Sequence, residues 1–318
     1  LSDILVHADV GRTGLGNMLF PWARAEVFAR RVGAAMLAPK WTQPKIGPLL
    51  RGERDLRYYS GLFDNSSYVR GPRRALELLR RRRVEGASIG INVDPRALPA
   101  SCDGALVTFQ GYEGWFRDDL YPHRQLIHRR LESIITDRVR NEIQAFDKPL
   151  LMAVHVRRGD MRRDLLQPGQ AMPTGNENVV ASEYYFLTLI RLIRQDCGRE
   201  LPVTVFTDAR EGELSELLAE KGVQFAGARS AIADILLMSR AAVLIASSAS
   251  SFSAWASFLG AMPTVWDRGR VGCTFPDRPD LAIESDAHGR IGEPQRGLIQ
   301  STIEAASTGA ADPSALAR

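Results

Sequence analysis

The sequence predicts an α/β protein of two domains, each a parallel sheet with helices on its faces. Three observations carry this. Short apolar, β-branched runs alternate with helical patterns along most of the chain, the rhythm of strand–helix–strand units. Its 318 residues are more than one ordinary domain needs and enough to bury two modest cores. Several runs end in loops rich in glycine, arginine or serine, where open α/β sheets place their ligands.

DILVHADVG reads as the first strand, followed by the turn GRTGLGN and the pattern LFPWARAEVFARRVG, with Leu19, Trp22, Ala23 and Phe28 at roughly helical spacing. Proline fits only the first turn of a helix, so Pro21 sets the expected helix start near Asn17. A strand, a glycine-rich turn and a helix N-terminus together suit an anion. Residues 38–100 are broken by Pro39, Pro44, Pro48, Pro72 and Pro95. ALVTFQGY then reads as a strand and HRQLIHRRLESIITDRVRNEIQAF as one long helix, before Lys148-Pro149 marks a boundary.

LLMAVHVRRGD, residues 150–160, reads as a buried strand that ends in His155, Arg157, Arg158, Gly159 and Asp160. The paired guanidinium groups are either solvated loop residues and partners for Asp160 and Asp164, or a fork for a phosphate at the strand's carboxyl end. A Gly/Asn/Pro-rich loop at 168–178 leads to the helix SEYYFLTLIRLIRQ, the strand PVTVFTD, and the short helix ELSELLAEKG closed by Gly222. ADILLMSRA is a helix, AVLIASS a strand and SFSAWASFLG another helix. The expected division is residues 1–148, residues 149–288, and a terminal helix with a Gly/Ala/Ser tail over 289–318.

Composition excludes several classes. Hydrophobic residues at 45% and charged residues at 25% fit a globular chain, and no apolar run reaches the roughly 20 residues a bilayer span needs. With no secretory pattern at Leu1, cytoplasmic is the expected location. Cys102, Cys197 and Cys273 are an odd number without CxxC spacing, so neither a disulfide framework nor a zinc site is expected. Gly11, Gly14 and Gly16 do not form GxGxxG, which disfavours a nicotinamide dehydrogenase; Walker A and GxSxG motifs are also absent. No Asp-x-Asp pair offers hard oxygens to a divalent cation, so no metal and no other cofactor is expected. Arg73, Arg74 and the run Arg80, Arg81, Arg82, Arg83 surround a helical pattern and read as a solvated face. The alternative is contact with an anionic surface such as a membrane carrying a lipid-linked acceptor. Nucleic acid is not an expected partner, since no aromatic residues interleave with the basic run.

Four segments taken in order carry a resemblance: GLGNMLFPWARAEVFAR, VHVRRGD, VFTDAREGEL and DILLMSRAAVLIASSASSFSAWASFLG. They resemble the bacterial α-1,2-fucosyltransferase family, and more widely the α-1,2/α-1,6/protein-O-fucosyltransferase superfamily. The segment GYEGWFRDD departs from the family pattern, shortened and holding Glu113 and Arg117; with residues 38–100 it is expected to face the acceptor.

The resemblance implies a GT-B fold, two Rossmann-like domains facing across a cleft, with the nucleotide sugar mainly on the C-terminal one. It implies metal-independent transfer of L-fucose from GDP-β-L-fucose to a glycan hydroxyl, with inversion and most often in α-1,2 linkage. By resemblance Arg157 grips the β-phosphate, and Arg158 is a second clamp or a partner of Asp160. His155 contacts the nucleoside, against the alternative of a satisfied core histidine. Asp208 accepts from guanine or ribose, against that of a helix cap. Ser250, Ser251 and Phe252 bring hydroxyls and an aromatic ring to the donor, or else cap and pack a helix. Gly16 and Asn17 reach the donor from the N-terminal side, with Gly14 permitting the turn. Asp234, Leu237 and Met238 read as structural. For a general base Glu113, Asp9 and Glu26 are the candidates. Another GDP-sugar as donor, or a silent nucleotide-sugar-binding protein, are the competing readings.

Overall fold

A computed structural model of the chain describes residues 3–41, 58–112, 114–116, 119–158, 181–209, 212–247, 250–267, 271–286 and 288–308. The chain divides into two compact units, one running to Arg140 and one from Asn141.

The first unit is built on a parallel sheet. Strands β1 (Leu5–Asp9), β2 (Ala35–Met36), β3 (Arg83–Glu85) and β4 (Leu106–Gln110) lie in the order β2-β1-β4-β3. Helices α1 (Leu15–Val32), α2 (Gly71–Arg80), α3 (Gly86–Ile89) and α4 (Arg124–Ile134) surround it. Helix α1 is apolar almost all round and buried almost throughout, the pattern of an interior helix. It starts at Leu15, not near Asn17, so Pro21 lies inside it. Proline there removes a backbone bond and costs about 3 kcal/mol, which the burial of Phe20, Trp22 and Phe28 outweighs.

The expected long helix after β4 is two. Helix α4 stops at Ile134, and α5 (Asp137–Gln144) starts afresh. Ile135 is extended (φ −67°, ψ 145°) and pairs as a bridge with Phe63, while the Asp64 and Thr136 amides donate to the Ile134 and Leu62 carbonyls. A tertiary backbone pairing has interrupted a continuous helical pattern.

The second unit holds β5 (Met152–Val156), β6 (Val203–Thr207), β7 (Val223–Phe225), β8 (Val243–Ile245), β9 (Thr264–Asp267) and β10 (Ala282–Ser285), all parallel, in the order β10-β9-β8-β5-β6-β7. One face, with Met152, Val154 and Val156, packs on α6 (Glu183–Asp196), α7 (Ser215–Ala219) and α10 (Glu293–Ser307). Alternation along β5 points His155 to the other face, where α9 (Ser251–Gly260) lies beside α8 (Ala231–Met238). A Cβ on Gly260 would sit 2.4 Å from the Ser239 carbonyl oxygen, so only glycine lets the end of α9 approach α8. Helix α7 ends at Ala219; Gly222 (φ +70°) forms the turn into β7 instead of closing the helix.

Candidate active site

Strand β5 lies between β6, on the side where the chain continues to β7, and β8, on the side where it continues to β9 and β10. The chain changes direction across the sheet here, the switch point where open α/β sheets bind ligands. His155, Arg157 and Arg158 sit at this strand's carboxyl end.

Hydroxyls from both neighbours clamp that end. On one side Ser247 Oγ donates to the His155 carbonyl (2.8 Å) and accepts from the Arg157 amide (2.9 Å). On the other side Thr207 Oγ1 donates to the Val156 carbonyl (2.6 Å) and accepts from the Ala209 amide (2.9 Å). Each short side chain replaces ladder bonds where the strands diverge, and so fixes the direction in which Arg157 leaves the sheet.

His155 is buried, with Nδ1 2.7 Å from Ser253 Oγ and its ring stacked on Phe252 at 6.1 Å and 12°. Burial, helped by the nearby Arg157 charge, pushes its pKa down to about 3, so the imidazole is neutral. Phe252 is half-buried in the first turn of α9. The α9 N-cap residue, Ser250, is fully buried; it makes no side-chain capping bond, and its hydroxyl has no partner among the described residues. A helix N-terminus with an unsatisfied hydroxyl is a ready anion site. Ser251, also buried, opens the helix.

The two arginines differ. Arg157 is half-buried, its backbone held by Ser247. The Arg158 guanidinium donates to the Ala181 carbonyl (2.6 Å), just ahead of α6, and Glu183, Glu213 and Asp208 lie around it. Asp208 Oδ1 accepts from the Arg158 amide (2.6 Å), and α7 begins only at Ser215, so Asp208 caps no helix but ties the β5 and β6 loops together. Asp160, Glu113 and the 168–178 loop lie outside the described residues.

Asp234 lies within α8 and faces Arg229 at 3.3 Å. Burial pushes its carboxyl up to about 7, against the pull of that arginine. The Arg229 guanidinium lies 4.6 Å over the Phe146 ring. Leu237 and Met238 are buried in the core.

In the first unit, the turn after β1 is shaped by Gly11 (φ +61°), which needs glycine. Gly14 does not: as the α1 N-cap it is extended (φ −74°), with open space where a Cβ would stand. Gly16 and Asn17 fall in the first turn of α1, and Asp9, exposed, accepts from the Gly11 amide. Glu26 is the interior charge of a structural network, accepting from Tyr68 Oη (2.5 Å) and Arg130 Nε (3.0 Å), while Trp22 Nε1 donates to Tyr68 (3.0 Å). Both bonds hold it inside the first unit as a structural partner.

Sequence reasoning missed Ser247, Thr207 and Ser253. For Ser247 and Ser253 the signal was the run ASSASSFS, whose serines differ in role only once the strand and helix are paired, and for Thr207 it was the hydroxyl ahead of Asp208 at the end of β6.

Residues 111–267, roughly half of the chain, match the sequence model of glycosyl transferase family 11. This stretch belongs to that family. The protein is a glycosyltransferase. No curated protein matches it in sequence. Among solved structures, this glycosyltransferase is similar to the fucosyltransferase NodZ from Bradyrhizobium, at 18% identity over 83% of this chain and 94% of that one, TM-score 0.50. It is also similar to POFUT1 in its apo form, at 12% identity over 83% and 97%, and in complex with GDP-fucose, at 12% over 82% and 95%, each with TM-score 0.50. At such identities the likeness is one of fold, GT-B, and it agrees with the two parallel-sheet units of the glycosyltransferase.

Proposed function

We propose that this glycosyltransferase moves L-fucose from GDP-β-L-fucose to a hydroxyl of an oligosaccharide or lipid-linked glycan, with inversion and without a metal ion. The observation that carries this reading is Arg157, whose backbone Ser247 holds at the β5 end, on the same side of the sheet as the Ser250 hydroxyl that has no partner among the described residues. The GDP-fucose held by POFUT1, on a similar fold, supports the choice of donor.

In the proposed step the acceptor oxygen attacks C1 of the sugar and the bond from C1 to the β-phosphate oxygen breaks. GDP leaves with that electron pair, and the acceptor proton passes to a base, for which Glu113 is the candidate. Negative charge grows on the β-phosphate as the bond stretches. The Arg157 guanidinium and the α9 N-terminus with Ser250 meet that charge, and deleting one such donor costs about 3–4 kcal/mol of transition-state stabilisation. His155 and Phe252 offer a neutral ring pair to the guanine. Asp208 and Ser251 complete the donor contacts proposed within the second unit, with Asp160 as a further one. Arg158 acts by positioning the β5 and β6 loops, since Ala181 and the acids around it hold its guanidinium. The family resemblance favours an α-1,2 linkage.

A thermal-shift panel of GDP, GDP-fucose, GDP-mannose, UDP and dTDP, each with and without EDTA, tests this. Stabilisation by GDP and GDP-fucose that ignores EDTA supports it. A preference for GDP-mannose selects another GDP-sugar, and a preference for UDP or dTDP, or metal dependence, removes the donor assignment.

A further inference from the structure

Helix α2, GPRRALELLR, turns much of its apolar side outward. Of its three leucines only Leu78 faces inward, packing with Val69 against Leu5, Leu37 and Leu106. Leu76 is 42% exposed and Leu79 is 84% exposed. At 3.6 residues per turn, Pro72, Ala75, Leu76 and Leu79 form a single stripe, and all four are exposed. Arg73 and Arg80 run along one side of it, both exposed and neither paired with a carboxylate among the described residues.

Of the cluster's four other arginines, Arg83 lies beyond the helix in β3, and the remaining three are spoken for. Arg74 Nε donates to the Ala38 carbonyl, Arg81 binds Glu77 and Asp3, and the Arg82 guanidinium donates to the Ser101 carbonyl. Glu77, the sole acid of the helix, is thereby neutralised. A merely solvated basic face accounts for the arginines but not for two leucines in water. A second copy fits poorly, because two-fold pairing would set Arg73 and Arg80 against their own equivalents. Nucleic acid makes no use of an apolar ridge without an aromatic ring to stack on. An anionic bilayer surface uses both features. Among the described residues no helix is long and apolar enough to cross a membrane.

We propose that α2 docks the protein on an anionic lipid surface, with Leu76 and Leu79 entering the boundary between headgroups and acyl chains while Arg73 and Arg80 pair with lipid phosphates. The proposal rests on no step of the sugar transfer and stands or falls separately from the donor assignment.

The test is co-sedimentation of the full chain with phosphatidylcholine vesicles, with and without phosphatidylglycerol. The expected result is binding to the phosphatidylglycerol vesicles that falls with added salt. It should fall at least about tenfold in Leu76→Ser/Leu79→Ser and comparably in Arg73→Gln/Arg80→Gln. All four positions are exposed, so melting curves and the GDP thermal shift should be unchanged; if the leucine pair lost its fold, the arginine pair would decide. Absence of binding, equal binding to pure phosphatidylcholine, or variants that bind like wild type would overturn the proposal. So would an oligomer, seen by sedimentation velocity without lipid, that dissociates on Leu79→Ser, since the stripe would then belong to a second copy.

Discussion

His155 Nδ1 and Ser253 Oγ lie 2.7 Å apart across 98 residues of sequence, joining strand β5 to the third residue of helix α9. The bond fixes the ring plane that stacks on Phe252, and it does so in a fully buried place where a charged imidazole is disfavoured.

Acid should therefore unfold the protein partly through this residue. A folded pKa near 3 lies below the ordinary 6.5, so the unfolded chain takes the proton more readily. The neutral ring's contribution is whole above pH 6.5 and is lost as pH falls from there toward 3, reaching about 2 kcal/mol by pH 5. His7, pushed down to about 4 chiefly by burial, acts in the same direction, whereas Asp234, pushed up to about 7, acts in the opposite one. Comparing melting temperatures at pH 5 and 7.5 isolates the residue: His155→Gln should show a shallower loss than wild type. Equal slopes would mean the ring is not buried as described.

Arg157→Ala should lower turnover by about 10²–10³-fold while leaving the melting temperature nearly unchanged. Arg157→Lys should recover part of that, because a point charge replaces the planar fork. Initial rates with GDP-fucose and a glycan acceptor give the answer, and an Arg157→Ala protein at wild-type rate would remove this residue from the mechanism.

Ser247→Ala and Ser250→Ala should separate stability from binding. The Ser247 hydroxyl satisfies two backbone groups, so its loss should cost about 1–2 kcal/mol in denaturant unfolding. The Ser250 hydroxyl bonds nothing among the described residues, so its loss should leave stability within about 0.5 kcal/mol. GDP affinity should nonetheless drop severalfold in Ser250→Ala, as isothermal calorimetry would show. The reverse ranking in unfolding would contradict the arrangement at the β5 end.

Glu26→Ala leaves the Arg130 charge and the Tyr68 hydroxyl without their interior partner and should destabilise the protein by about 3 kcal/mol. GDP affinity should survive in the folded fraction. If instead rates fell and stability held, Glu26 would belong to the chemistry after all.

Strand and helix identity in the second unit was readable because buried parallel strands are continuous apolar runs and their helices are amphipathic. What periodicity does not carry is a bond to a distant segment: the Ile135–Phe63 bridge cuts one helical pattern in two, and the burial of Trp22 and Phe28 carries α1 through Pro21. At the site, His155, Arg157 and Ser250 stood out by residue type at a strand or helix end. The partners of Asp208 and Arg158 did not, since both depend on which loops the sheet order makes neighbours. Gly14 drew attention for its motif, although Gly11 is the position with positive φ.

The strand order also governs when the site comes into being. No two neighbouring strands of the second sheet are joined by a hairpin, and β5 pairs with β6 from Val203 and with β8 from Val243, 51 and 91 residues beyond Met152. A nascent chain has therefore to be synthesised past Ile245 before the strand bearing His155 acquires both neighbours, and past Ser253 before that histidine acquires its partner. Until then a strand buried along its whole length in the folded unit has unpaired edges, which makes this interval of synthesis the one in which chaperone binding and aggregation compete with folding.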